Sequence, residues 1–147
     1  MRARDALGCW FLLIATLSFG GCAGPLGAGY DPVLDERVTL IDAKIEAFLD
    51  AMERAGSSTD GAFRGNSGFY SDVRGELEAL RRRAGTSPRT DLVKVLTELQ
   101  DNVETLRRAH QSGGERGLDR IIIEQVRGVI RTNFDILYKR QALLRMG

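Results

Sequence analysis

Few side chains in this sequence are equipped for chemistry. His110 is the only histidine, and the cysteines are Cys9 and Cys22. Proton transfer at neutral pH most often falls to an imidazole, so one histidine leaves little material for a catalytic site. The sequence holds no Gly-x-Ser-x-Gly elbow, no phosphate-binding glycine loop and no His-Glu-x-x-His helix. Carboxylate neighbours such as Asp35 and Glu36 lie on a helical pattern. At about 100° per residue they face different ways and serve solubility rather than acid–base work. No catalytic residue is expected, and no enzyme.

Helical proteins also house metals and haem, and the ligand sets for these can be tested directly. A carboxylate-bridged di-iron site draws a Glu-x-x-His motif from each of two helices, which a single histidine cannot supply. A c-type haem needs Cys-x-x-Cys-His, which is absent. A b-type haem could use Met52 and His110, each of which continues the apolar phase of its helix near the helix end. That pair defines an alternative function, a periplasmic small-ligand or haem carrier with a cavity beside both residues. The simpler reading makes Met52 core filler and lets His110 meet helix-end carbonyls. No metal or cofactor is expected.

The remaining chemistry is at the N-terminus. Arg2 and Arg4 precede an apolar run over residues 9–19, interrupted only by Thr16 and Ser18. A membrane-spanning helix needs about 20 apolar residues, so this shorter run fits the hydrophobic region of an export signal. It leads into Phe19-Gly20-Gly21-Cys22, which resembles the lipobox of bacterial lipoprotein precursors, with Phe19 where that class usually has Leu. The resemblance covers residues 1–22 only. It implies cleavage before Cys22, acylation of Cys22 by palmitate-type chains, and a lipid-anchored protein of the cell envelope. Ala23 after the cysteine fits an outer-membrane destination facing the periplasm. Ordinary cleavage after small residues, for example after Ala23, is the alternative and would give a secreted protein.

Composition narrows the partners. The whole chain carries 21 basic and 20 acidic residues; removing residues 1–21 takes away Arg2, Arg4 and Asp5 and leaves the remainder neutral. A nucleic-acid binder needs a basic footprint to displace counterions, so no nucleic acid is expected. Cys9 leaves with the signal and a lipidated Cys22 cannot form a disulfide. The fold must therefore be held by burial alone.

Elements follow from periodicity. Residues 22–32 read as the lipidated cysteine and a Gly/Pro-rich tether, roughly 30 Å long if extended at about 3.3 Å per residue. Residues 33–147 form one helical domain. Its first helix starts at Asp31-Pro32, an N-cap followed by a first-turn proline, and Gly56 stops it. Leu34, Val38, Ile41, Ile45, Phe48 and Met52 make its seam, alternating four and three. The second helix carries Tyr70, Val73, Leu77, Leu80 and Ala84 and ends at Gly85. It begins at an Asn66 or Ser67 cap, or a turn earlier at Phe63, which keeps the phase but must accommodate Gly65 and Gly68. The third starts near Ser87-Pro88 or Thr90-Asp91 and runs through Leu92, Leu96, Leu99, Val103 and Leu106 to Gly113-Gly114. The fourth spans about Leu118 to Leu144, with Ile122, Val126, Ile130, Phe134 and Leu137 facing inward and Gly128 inside it. Helices this long with short connections predict an all-α, up-down-up-down four-helix bundle.

Two surplus features suggest a partner surface. Ile121, Ile122 and Ile123 sweep some 200° of their helix, more than one apolar stripe requires. Either that helix is wedged deeply between its neighbours, which is the simpler arrangement, or one of the three is exposed for another protein. The glycine-rich segment 56–68, with Phe63, Phe69 and Tyr70 close by, is the second candidate; its rings bind a partner or cap the bundle. A lipid-tethered, non-catalytic module that binds an envelope protein or itself is the expected function.

Overall fold

The structure is a computed structural model that describes residues 30–86 and 90–146. The expected export signal, Cys22, most of the expected tether and the Ser87-Pro88 alternative for the third helix start lie outside the described residues. The described residues form an all-helical bundle of four long helices with no strand among them. These are α1 (Pro32–Ala55), α2 (Phe63–Gly85), α3 (Thr90–Gly113) and α4 (Arg120–Met146), with short 3-10 turns at Thr59–Gly61 and Gly114–Arg116.

Local chemistry sets the boundaries. Asp31 accepts hydrogen bonds from the backbone N–H groups of Val33 and Leu34 at 3.0 and 3.2 Å, satisfying two donors that the first turn of α1 leaves free. At the other end Gly56 takes φ 53°, and its N–H returns to the Met52 carbonyl. The α2 helix starts at Phe63, the earlier of the two expected positions. The Asn66 side chain does not cap it from within; its amide donates back to the carbonyls of Asp60 and Ala62 at 2.8 and 2.9 Å. That fastening, together with burial of the Phe63 ring against the core, offsets the entropic cost of Gly65 and Gly68. Asp119 caps α4, accepting from Ile121 N–H at 2.8 Å.

Each helix packs on its neighbours in sequence, and α4 closes against α1. The core is the expected seam almost throughout: Val38, Ile41 and Ile45 from α1, Val73, Leu77 and Leu80 from α2, and Leu96, Leu99 and Leu106 from α3. Burying a side chain of this size contributes about 1.5–3 kcal/mol. The fourth helix departs from expectation by one residue at its start. Ile123, not Ile122, enters the core and is followed by Ile130, Phe134 and Leu137, while Val126 is only half-buried. The seven-residue step from Ile123 to Ile130 keeps the seam in phase better than the run of fours that Ile122 would begin.

The α1–α4 contact is ionic along its outer edge. Arg127 reaches Glu46 at 3.0 Å, Asp50 at 2.8 Å and Glu53 at 3.4 Å, and Arg131 also bonds Glu46 at 2.8 Å. Tyr138 donates to Asp42 at 2.7 Å, and Arg145 pairs with Asp35 where α4 ends and α1 begins. These contacts fix which face of α4 looks at α1 and so which face looks away.

Candidate functional site

His110 is wholly buried at the end of the bundle where α1 finishes, α2 starts and α3 finishes. Its Nε2 lies 2.7 Å from the Gly61 carbonyl oxygen and its Nδ1 2.8 Å from the Tyr70 hydroxyl. A carbonyl can only accept, so Nε2 carries the proton; the bare Nδ1 then accepts from Tyr70 O–H. Both ring nitrogens are satisfied within the protein. Burial pushes the imidazole's pKa below its ordinary value, and the bond to Gly61 only partly offsets this. Burial likewise raises that of Tyr70, with Arg107 opposing. Each group is thus held in the neutral form this network requires.

Aromatic rings seal the pair. Phe63 meets the imidazole edge to face at 5.4 Å, and Tyr70 does so at 5.8 Å. Phe48 stacks on Phe69 with centroids 3.7 Å apart and planes 5° off parallel. Of the three aromatic residues expected to offer a binding loop, Tyr70 is therefore buried, and Phe63 and Phe69 are half-buried against the core. The segment they occupy is helix and 3-10 turn, and its rings close the bundle end.

The Gly61 carbonyl bonded to His110 also touches the second connection. Gly117 holds φ 71° and ψ −153°, a region open essentially to glycine alone. A Cβ there would stand 2.5 Å from the Gly61 oxygen. The α1–α2 and α3–α4 connections thus meet backbone to backbone, with His110 fastened beneath. Beside this clasp is a half-open cleft of about 610 Å³, lined by Met52, Glu53, Ala109, Ser112, Arg116 and Ile122 among others. His110 is not part of its wall.

This geometry bears on Met52 and His110 as a haem-ligand pair. An axial imidazole needs one nitrogen free for iron; here one donates to a backbone carbonyl and the other is occupied by a tyrosine hydroxyl. Met52 lines the cleft and His110 faces away from it into the aromatic cluster, so no cavity is shared between them. The residues present do not fit the group. The sequence placed His110 on the inner face of its helix but gave no sign of its partners, which lie 49 and 40 residues away along the chain. Among the described residues no three metal-binding side chains converge, and no helix is long and apolar enough to cross a membrane.

The three isoleucines separate cleanly. Ile123 is 1% exposed, Ile122 is half-buried and Ile121 is 64% exposed. Thus α4 packs into the bundle through Ile123 and leaves Ile121 outside it. Ile121 also has company that the sequence reading did not pick out. Val129 and Leu143 on the same helix are 50% and 58% exposed. The signal that would have found them is a second seven-residue repeat, out of phase with the core seam. No protein-family model, curated protein or solved structure matches this chain.

Proposed function

We propose that this chain is an exported bacterial lipoprotein whose mature part, from Cys22 onward, is a non-catalytic protein-interaction module on the cell envelope. The observation that carries this reading is the order of residues 2–22: two arginines, a short apolar run, then Gly20-Gly21-Cys22. Acyl chains on Cys22 hold the protein to the outer membrane facing the periplasm, since each buried methylene contributes about 0.8 kcal/mol and two or more chains bind firmly. Residues 23–32 give the domain room to move away from the lipid surface.

In this reading the domain is an up-down-up-down four-helix bundle. Contacts between successive helices, closure of α4 on α1, and the pairing of α4's end with α1's start through Arg145 and Asp35 support that arrangement. An interaction role is supported by apolar side chains left on the outside of α4, and by a lone histidine engaged in holding the fold.

Fractionation of cells expressing the full chain or its Cys22→Ala variant tests the anchor. The wild type is expected in the membrane fraction and to be released only by detergent, and the variant to become soluble. A variant that pellets with membranes as fully as the wild type would overturn the reading.

A further inference from the structure

Along the outer face of α4, Ile122, Val129, Ile136 and Leu143 recur every seven residues. Gln125, Thr132, Lys139 and Met146 recur at the same interval between them. The two sets alternate three and four, the a/d spacing of a two-stranded coiled coil, with the apolar residues at a and polar ones at three of the four d positions. Six of the eight side chains are exposed, and Ile122 and Ile136 are half-buried at the edge of the core. The core seam of the same helix, Ile123, Ile130, Phe134 and Leu137, occupies the opposite heptad positions. With about 1.5 Å per residue, the outer seam extends for roughly 35 Å. We propose that it pairs with the α4 of a second copy of this chain, the two helices lying parallel.

The choice of a second copy, and of its direction, comes from the seam's own chemistry. Three of the four a positions are β-branched Ile or Val, the residue types that suit the a layers of a two-stranded parallel pair. In a parallel pair the flanking side chain before one a layer meets the one five residues later on the partner. That places the exposed Asp135 beside Arg140 of the second copy, and the reverse, giving two symmetric ion pairs. It also places Ile121 beside Val126, covering the most exposed of the three isoleucines. An antiparallel pair would match these flanking positions with their own kind and lose both ion pairs. Arg140 already bridges Asp91 at 3.4 Å with both side chains about half exposed, so its guanidinium sits at the rim of this face. Gln125, Thr132 and Lys139 at d positions each meet their own copy, which weakens the pair and makes it one that can come apart.

Parallel α4 helices put the two chains' Tyr30 residues, each at the start of α1 beside Arg145, at the same end of the dimer. Two copies tethered in one membrane are readily accommodated by that arrangement. Confinement to that surface would raise their local concentration. This last support rests on the anchoring reading; the seam itself does not.

Cysteine cross-linking of the full chain in cells tests the pairing, in whichever fraction the chain is found. Facing a-layer residues in a parallel pair lie within disulfide reach. Val129→Cys, oxidised with copper phenanthroline, is expected to give a disulfide-linked dimer at least fivefold above two backgrounds: the parent chain and Asp72→Cys on the exposed face of α2. Adding Leu143→Glu to Val129→Cys is expected to return the signal to background while circular dichroism stays helical. A dimer band no stronger than background overturns the proposal, as does cross-linking of Val129→Cys to a different protein in place of itself. Either result leaves the membrane behaviour of Cys22→Ala, and so the anchoring reading, to be judged separately.

Discussion

Two regions of this bundle invert the ordinary rule of polar outside and apolar inside. At one end a histidine and a tyrosine hydroxyl sit in the core, where the helical phase would lead one to expect leucine. Along α4 isoleucine, valine and leucine face water, where the phase would lead one to expect charge. The first inversion is closed, because every polar atom of His110 has a protein partner and the surrounding rings exclude water. The second is open, because Ile121, Val129 and Leu143 each leave half or more of their surface exposed among the described residues. A closed exception is explained by the fold that surrounds it, whereas an open one asks for a second molecule.

The sharpest way to break this contrast is at the closed end. His110→Ala would leave the Gly61 carbonyl and the Tyr70 hydroxyl buried without partners and open a cavity, so a loss of about 4 kcal/mol is expected in urea unfolding. A loss below about 1 kcal/mol would mean the network contributes little. Gly117→Ala is expected to cost about 3 kcal/mol in the same measurement, through its glycine-only backbone angles and the clash with Gly61.

A smaller effect is expected with pH. In the unfolded chain His110 protonates near its ordinary 6.5, while burial holds it lower in the fold. The unfolded state therefore takes up the proton first, and stability present above pH 6.5 falls as the pH drops below it. Asp31 and Glu104, held down by their bonds to Arg83 and Arg107, lose their stabilising charge only nearer the carboxylate range. A stability profile from pH 8 to 5 should show the first limb in the wild type and not in His110→Ala.

The smallest effect belongs to the open region. At a chain concentration too low for pairing, Val129→Glu is expected to change unfolding stability by less than about 0.5 kcal/mol, because the side chain is half exposed and fills no core space. A loss of about 2 kcal/mol would show that Val129 belongs to the core and would remove the contrast.

Where helix ends were set by local chemistry, they were legible in the sequence. Asp31-Pro32 and Gly56 bound α1 because capping and φ preferences act within a few residues. The start of α2 was harder, since Gly65 and Gly68 argue locally against a helix that Phe63 and Asn66 secure through contacts elsewhere. At Ile121–Ile123 a consecutive triplet carries no phase of its own, and only packing selects Ile123. The clasp was invisible for the same reason: His110 meets Gly61 and Tyr70 across the bundle, and no spacing rule links residues that far apart. The outer seam of α4 was present in the sequence but masked, because the core seam explained the same helix first.

Lipid attachment at Cys22 can be read from the intact mass of the protein purified from detergent-solubilised membranes. A lipid-anchored protein begins at Cys22, is heavier than its polypeptide by the mass of covalently bound acyl chains, and lacks residues 1–21. A mature chain that begins elsewhere, or one that begins at Cys22 and carries no acyl mass, would contradict it.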